Sequence, residues 1–183
     1  VSEEDYGYFA EKDGNRCVIG DIQSLREMTE KKYPGVPYFI LGHSMGSFLT
    51  AQYIEEYGEG LSGAVISGTG YQSAGTLRTG KAICKTIAAI KGWRYRSPFV
   101  NNMALGSYNK KFEPARTAND WLTRDTAIVD AYCANPWNNF MFTLNAYYNL
   151  FTGIETAEKE ENISRIPKEL PVLIVSGGDD PVG

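Results

Sequence analysis

One serine stands in a sequence pattern that prepares a hydroxyl for nucleophilic attack. Residues 42–46 read Gly-His-Ser-Met-Gly, a G-x-S-x-G pentapeptide. In a nucleophile elbow of this kind the chain turns sharply from a strand into a helix and lifts the serine hydroxyl above the sheet. The turn needs small residues two positions before and two positions after the serine, and Gly42 and Gly46 meet that demand. Ser44 is therefore the candidate nucleophile.

The segments on either side of Ser44 have the patterns that an elbow requires. Residues 38–41 form a short apolar run, which predicts a strand buried on both faces within a parallel sheet. A helix is expected to begin at about Met45 and to end near Gly58. The free N–H groups and the positive dipole end at its start would face the serine. The Met45 N–H is the expected donor to an oxyanion formed there.

The candidate acid is one of two adjacent aspartates near the end of the chain. A serine nucleophile needs a base, and the base needs a carboxylate that orients it. In a parallel sheet such groups lie on loops that follow the carboxyl ends of strands. The strand after the elbow ends in residues 67–70, which contain no carboxylate, whereas the later apolar run 171–175 leads to Asp179 and Asp180. An Asx turn before Pro181 is compatible with either aspartate as the acid.

The base is harder to place, because the chain contains a single histidine. This residue, His43, directly precedes the candidate nucleophile. On an elbow its side chain should point away from the Ser44 hydroxyl. We therefore expect His43 to be packed or hydrogen-bonded beneath the elbow and not to act as the base.

The composition is that of an ordinary globular domain. Of the 183 residues, 43% are hydrophobic and 22% are charged, and the net charge is −4. No basic run or stripe is present, which argues against nucleic acid or an anionic membrane surface as the principal partner. No apolar stretch approaches the roughly 20 residues that span a bilayer, and the sequence does not open on a signal-peptide pattern.

The cysteines indicate a reducing compartment. Cys17, Cys84 and Cys133 are odd in number, far apart and without the spacing of a metal site. We interpret them as reduced thiols of a cytoplasmic protein that are buried as small hydrophobic residues. We expect neither a metal nor a cofactor.

Strands and helices are expected to alternate at both ends of the chain, with a mostly helical, aromatic-rich segment between them. An amphipathic helix that lies on the sheet is predicted by apolar residues at helical spacing. These residues are Val18, Ile22, Leu25 and Met28. Strands over residues 61–67 and 171–175 would extend a parallel sheet with helices on both faces. In the intervening segment, helices are expected around residues 83–90 and over residues 126–134 and 140–151.

The pentapeptide and three further motifs resemble the α/β-hydrolases, in particular the lysophospholipase, monoacylglycerol lipase and serine aminopeptidase-like group. The further motifs are residues 67–70, 121–125 and 172–181. The resemblance covers nearly the whole chain and implies an α/β-hydrolase fold, here a partial parallel sheet with a helical cap inserted after the strand that follows the elbow. The implied domains are a core over 1–70, a cap over 71–154 and a return to the core over 155–183.

The resemblance implies a serine hydrolase that cleaves a carboxylic ester of a lipid-like substrate, such as a lysophospholipid or a monoacylglycerol. Ser44 would form the acyl-enzyme and the Met45 N–H would hold the oxyanion. The G-x-x-D motif of the family favours Asp180 over Asp179 as the acid. The alternatives are an aminopeptidase or small-ester hydrolase with the same triad, and a non-catalytic binding protein that keeps the elbow as a relic.

Three residues are candidates for contact with the substrate, namely His43, Trp121 and Phe142. Aromatic residues of the cap are expected to line an apolar cleft over Ser44, although most of them should form the core of the cap itself. The expected partner is a small lipid-like ester, and transient contact with a membrane surface is compatible with such a substrate.

The two ends of the chain indicate a piece of a longer protein. The sequence opens at Val1 without an initiator methionine and closes at Gly183 just after a predicted strand. The family places its catalytic histidine beyond the last strand and its second oxyanion donor after an early strand. We therefore expect these 183 residues to hold the nucleophile, one oxyanion donor and an acid, and to show little or no turnover alone.

Overall fold

The computed structural model of the protein describes residues 2–182, which contain three strands in one parallel sheet. The strands are β1 (Phe39–His43), β2 (Gly63–Ser67) and β3 (Val172–Val175). The helices are α1 (Gly14–Lys32), α2 (Met45–Tyr57), α3 (Ala74–Lys91), α4 (Pro98–Leu105), α5 (Thr126–Ala134), α6 (Leu144–Ala157) and α7 (Glu160–Ile163). Short 3₁₀ helices lie at Glu3–Asp5, Tyr108–Phe112 and Asp120–Leu122.

The strands stand in the order β1, β2, β3, and each neighbouring pair is parallel. His43 is in register with Ser67, and Ser67 is in register with Val175. Because carboxyl ends of parallel strands meet at one edge of a sheet, the segments after all three strands emerge side by side. The elbow and the aspartate loop therefore lie at the same edge.

The main core lies between the sheet and helices α1 and α2. Its buried apolar side chains include Ile19, Tyr53, Ile54, Ala64 and Ile66. The predicted helix after Ser44 is confirmed, with Gly58 as its C-terminal cap, and it packs against both β1 and β2. Burial of this kind supplies most of the free energy that holds a helix onto a sheet.

Strand β1 is confirmed, but the expectation that both of its faces are buried is wrong for the described chain. Ile40 packs into the core, and Gly42 is buried against α2. Phe39 and Leu41 point to the opposite side and are 65% and 67% exposed. Alternate residues of a strand face opposite sides, so α2 covers only one of the two faces.

Helix α1 is confirmed as well, but its buried face differs from the predicted one. Leu25 and Met28 are exposed, whereas Arg26 is only 7% exposed. The Arg26 guanidinium donates to the backbone oxygens of Tyr57 (2.8 Å) and Glu59 (2.9 Å). The last carbonyls of a helix lack partners within the helix. Arg26 is buried because it satisfies such carbonyls at the end of α2.

A second apolar cluster forms the core of the intervening helical segment. It contains Cys84, Ala88, Val100, Leu144 and Tyr147, from helices α3, α4 and α6. Helix α5 has the predicted bounds. Helix α6 begins four residues later than predicted, after Thr143, whose hydroxyl accepts the Ala146 N–H.

Helix α6 connects the two cores. It packs against α3 in the intervening segment and against α1 and α2 beside the sheet. Because α6 continues to Ala157, the expected domain boundary after residue 154 falls within this helix. The division into core and cap stays a prediction, and α6 belongs to both of its parts.

The cysteines differ in their surroundings. Cys84 is buried, and burial raises the pKa of its thiol to about 11. Cys133 is half-buried, and Cys17 is exposed, so the expectation of burial is wrong for Cys17. Over residues 2–182 no helix combines the length and the apolar character that a bilayer crossing requires.

Glu55 on α2 is a buried carboxyl group. Its side chain is only 9% exposed, and within residues 2–182 it makes no hydrogen bond or ion pair. Burial raises the pKa of Glu55 to about 7, and the nearby charge of Arg165 lowers it only in part. Between pH 4.5 and pH 7 the Glu55 carboxyl group binds fewer protons in the unfolded chain than in the folded chain. Ionisation of Glu55 therefore costs stability as the pH rises through this window.

We expect the Glu55→Gln substitution to stabilise the protein in a pH-dependent way. The free energy of unfolding of the variant minus that of wild type should rise by about 1–3 kcal/mol from pH 4.5 to pH 8. Urea denaturation at several pH values measures this difference. Glu56→Gln is the control, because Glu56 is exposed and paired with Arg16. A difference between wild type and Glu55→Gln that does not change with pH would contradict the expectation.

Candidate active site

Ser44 occupies a backbone conformation that residues with a side chain rarely adopt. Its φ is 52° and its ψ is −118°, outside the regions that sterics favour for such residues. The residue lies between the last residue of β1 and the first residue of α2. Two neighbours hold it there. Ser44 N–H donates to the Ser67 carbonyl (2.9 Å), and the Ser47 hydroxyl donates to the Ser44 carbonyl (2.5 Å).

The room for this turn comes from Gly42. A Cβ atom at Gly42 would overlap the Gly46 carbonyl oxygen and the Thr50 hydroxyl, both on α2. A Cβ atom at Gly46 would meet nothing within 4 Å. The expectation that both positions must be small therefore holds on steric grounds for Gly42 and not for Gly46. The absence of a side chain at Gly42 lets α2 start directly against β1.

The Met45 N–H is positioned as a free donor at the start of α2. Met45 is the first residue of the helix, so its N–H has no partner within the helix. Among residues 2–182 no other acceptor receives this hydrogen bond. The positive end of the helix dipole lies at the same point. These features suit the stabilisation of negative charge beside the Ser44 hydroxyl.

Asp180 is held in a fixed position on the loop after β3. Its carboxylate accepts hydrogen bonds from the Ser176 hydroxyl (3.3 Å) and the Val182 N–H (2.9 Å). Burial, together with the negative charge of Asp180, raises the pKa of Tyr108. The charge of this carboxylate thus acts on the Tyr108 hydroxyl.

Asp179 has different surroundings from its neighbour. Its carboxylate forms an ion pair with Arg124, and both side chains are exposed. Arg124 precedes α5, so the pair joins the intervening helical segment to the loop after β3. Asp125 caps α5, because its Oδ1 accepts the Ala127 N–H (2.9 Å). The predicted helix start at these residues is thus present, and its arginine pairs with a distant residue.

His43 points along the sheet towards the aspartate loop. Its Nδ1 lies 3.2 Å from the Ser67 hydroxyl. A Cβ atom built on Gly68 would be 2.9 Å from His43 Cε1 and 3.2 Å from Asp180 Oδ2, so these two groups approach each other across Gly68. The expected hydrogen bond of His43 is present, but the ring is exposed and not packed. No hydrogen bond joins His43 to Ser44 within residues 2–182.

The other two predicted substrate-contact residues lie in separate places. Trp121 packs against Tyr108, with 4.8 Å between ring centroids and 60° between ring planes. Phe142 packs in the second apolar cluster. Its ring centroid lies 5.9 Å from that of Phe140 and 5.6 Å from that of Tyr147. Their roles in substrate binding stay predictions.

The sequence did not single out Tyr108 as a residue whose pKa the candidate acid influences. It appeared there only as one of many aromatic residues in the intervening segment. No local pattern marks it, because Tyr108 and Asp180 lie in separate segments of the chain that only the fold brings within electrostatic range.

The sequence profile of the family described as Serine aminopeptidase, S33 matches residues 6–183. Two curated relatives are monoglyceride lipases. The mouse protein is 27% identical over 98% of this chain and 55% of its own length, and the rat protein is 26% identical over the same shares. The chain thus spans about half the length of the curated relatives it matches.

Two solved structures show the same fold. A thermostable carboxyl esterase from Bacillus coagulans has a TM-score of 0.81 at 25% identity, over 91% of this chain and 54% of the esterase. A soluble variant of monoglyceride lipase from Saccharomyces cerevisiae has a TM-score of 0.67 at 20% identity, over 97% of this chain and 54% of the lipase. The predicted α/β-hydrolase fold is therefore confirmed.

We expect Gly42→Ala and Gly46→Ala to differ sharply in stability. The methyl group at position 42 would force α2 away from β1 and should lower the free energy of unfolding by about 2–4 kcal/mol. The methyl group at position 46 enters open space within a helix, so its effect should be below about 1 kcal/mol in either direction. Chemical denaturation of the two variants measures both values. Equal losses would show that Gly42 is not the crowded position.

Proposed function

Because the chain belongs to the serine aminopeptidase S33 family, we propose that it carries the nucleophile of a serine carboxylester hydrolase. The observation that carries this proposal is the backbone of Ser44, which is held at a positive φ between a strand and a helix N-terminus. A structural serine gains nothing from such a conformation, whereas a nucleophile gains exposure above the sheet.

In this mechanism the Ser44 oxygen attacks the carbonyl carbon of the ester while a histidine base takes the hydroxyl proton. The oxyanion that forms accepts a hydrogen bond from the Met45 N–H. The protonated base then gives its proton to the leaving alcohol, and an acyl-enzyme remains on Ser44. Water attacks the acyl group by the same route and releases the acid.

Asp180 is the proposed partner of that base. Its carboxylate is held by two donors at the edge of the sheet where Ser44 lies, whereas Asp179 is engaged by Arg124. We place the base outside these 183 residues. The only histidine here, His43, bonds to Ser67 and lies on the side of β1 away from α2.

The proposed substrate is a lipid-like carboxylic ester, such as a monoacylglycerol or a lysophospholipid. The support comes from the two monoglyceride lipases among the relatives. The predicted contacts are His43, Trp121 and Phe142, with transient membrane contact as one way to reach such a substrate. The three unpaired thiols support a cytoplasmic location.

The family description supports a second candidate, an aminopeptidase or small-ester hydrolase with the same triad. The substrate preference of the protein expressed from its complete gene distinguishes the two candidate functions. Rates on p-nitrophenyl esters that increase with acyl length favour the lipid-like substrate. Faster turnover of aminoacyl anilides favours the peptidase.

We expect a fluorophosphonate probe to label the protein expressed from its complete gene at Ser44. Ser44→Ala should remove all labelling, because the probe reacts only with an activated serine oxygen. Ser62→Ala is the control, since Ser62 lies just before β2 at the opposite end of the sheet, and its labelling should equal wild type. In-gel fluorescence measures both. A correctly folded wild-type protein without labelling would indicate a non-catalytic binding protein.

The two adjacent aspartates should respond differently to loss of charge. Asp180→Asn should lower kcat/KM by about 10³–10⁴-fold, because the base would lose the group that orients it. Asp179→Asn removes one member of an exposed ion pair and should cost less than about tenfold. Ester hydrolysis by the protein from its complete gene measures both. A larger loss in Asp179→Asn would reverse the assignment of the acid.

A further inference from the structure

A polar cavity of about 400 Å³ lies away from the candidate active site, between helices α1, α2 and α6 and the segment around α7. Its walls include Asn15, Gln52, Glu55, Asn149, Thr156 and Asn162. None of its lining residues belongs to the elbow or to the aspartate loop. Glu55 is ten residues beyond Met45 on α2, which places it about 15 Å further along the helix.

Two groups in the cavity wall accept hydrogen bonds and have no partner. The Glu55 carboxylate, 9% exposed, makes no hydrogen bond or ion pair within residues 2–182. The Oδ1 atom of Asn15 is buried and likewise has no partner there. Buried polar groups are nearly always paired, so an unpaired one is unusual in a folded protein. A ligand with donors would give the Glu55 carboxylate the partner that it lacks.

Each side-chain amide of the cavity wall donates one hydrogen bond within the protein. Asn15 Nδ2 donates to Gln52 Oε1 (2.5 Å), and Gln52 Nε2 donates to the Phe48 carbonyl (3.1 Å). Asn149 donates in the same way to a backbone carbonyl of its own helix (2.9 Å), and Asn162 donates to the Thr156 carbonyl (2.7 Å). These bonds hold the amide side chains of the wall in place.

The charges of the wall favour a cation. Three carboxylates line the cavity, those of Asp13, Glu55 and Glu56, against two guanidinium groups. Arg16 pairs with Glu56 (3.4 Å), and Arg165 influences Glu55 without pairing with it. Across residues 2–182 there is no group of three or more His, Cys, Asp or Glu side chains that could hold a metal ion. The charge pattern thus points to an organic cation.

We propose that this cavity binds a small organic cation with N–H donors, such as an alkylammonium group, with the nitrogen against the Glu55 carboxylate. The ammonium hydrogens would donate to this carboxylate, and the positive charge would compensate its negative charge. The volume lies within the range of small-molecule sites. The inference is independent of the proposed hydrolase activity.

The test is a titration of the ¹⁵N-labelled protein, expressed from its complete gene, with n-butylammonium chloride at pH 8, followed by NMR. We expect saturable shifts of the side-chain amides of Asn15 and Gln52. Tetramethylammonium, which carries the charge but no donors, and n-butanol, which has the chain but no charge, should each bind at least tenfold more weakly. Equal responses to the three compounds, or no saturable response to any, would mean a solvent-filled cavity and overturn the proposal.

Matched variants test the role of the buried carboxylate. Glu55→Gln should weaken n-butylammonium binding at least tenfold, because the amide keeps the shape and loses the charge. Glu56→Gln should weaken it less than threefold, since that carboxylate already pairs with Arg16. Unchanged binding by a folded Glu55→Gln, or equal loss in both variants, would overturn the proposal.

A pH titration of wild type tests the same point without a substitution. Between pH 8 and pH 5.5 n-butylammonium stays charged while Glu55 takes up a proton. Binding should therefore weaken at least tenfold over this range. The other titratable or charged groups that face the cavity are Asp13, Arg16, Glu56, Tyr148 and Arg165. Affinity that does not depend on pH would exclude Glu55 as the partner of the cation.

Discussion

The structure depends on one strained residue at the junction of β1 and α2. Ser44 holds a positive φ, a conformation that costs of order 1–3 kcal/mol for a residue with a side chain. The surrounding contacts must supply that free energy. These contacts are the hydrogen bond from the Ser44 N–H to the Ser67 carbonyl of β2, the hydrogen bond from the Ser47 hydroxyl to the Ser44 carbonyl, and the close approach of Gly42 to α2. The same contacts aim the start of α2 at the serine oxygen.

The parallel register gives this junction its neighbours. His43, Ser67 and Val175 stand in one row across the three strands, so the chain leaves each strand at the same edge. The loop that follows β3 therefore starts close to the elbow, and a short loop can reach the region above it. The intervening helical segment contacts this loop through the ion pair of Arg124 and Asp179, and the charge of Asp180 acts on Tyr108. The candidate site is thus built from three separate parts of the chain.

Helix α2 shows two outcomes for a charged group in a protein interior. Arg26 of α1 is buried against the end of α2, and its guanidinium donates to carbonyl oxygens and to Glu30. Glu55 of α2 is buried to a similar degree and has no such partners. A buried charge without compensation is unfavourable, so Glu55 shifts its pKa towards neutrality. The contrast separates a structural ion from a group that is available to a ligand.

Much of the fold followed from local sequence patterns. The elbow, the helix after it, the strands over residues 63–67 and 172–175 and the bounds of α5 agree with the pattern of apolar residues and with capping residues such as Asp125. Helix α4 was missed, although Ser97 and Pro98 form a recognisable start, with the Ser97 hydroxyl accepting the Val100 N–H. In α1 the periodicity predicted the helix but not its buried face.

The sequence by itself determined the candidate nucleophile and the fold class, because an elbow, a cap and a helical period are relations between residues a few positions apart. Only the tertiary structure decided which charged groups have partners. Asp179 meets Arg124 across 55 positions of sequence, and Arg26 meets the end of α2 across 31 and 33. Whether a buried charge has a partner depends on groups from segments that are distant in sequence, and no local pattern predicts which of these groups will lie beside it. For that reason the different surroundings of Asp179 and Asp180, and the isolation of Glu55, became visible only in three dimensions.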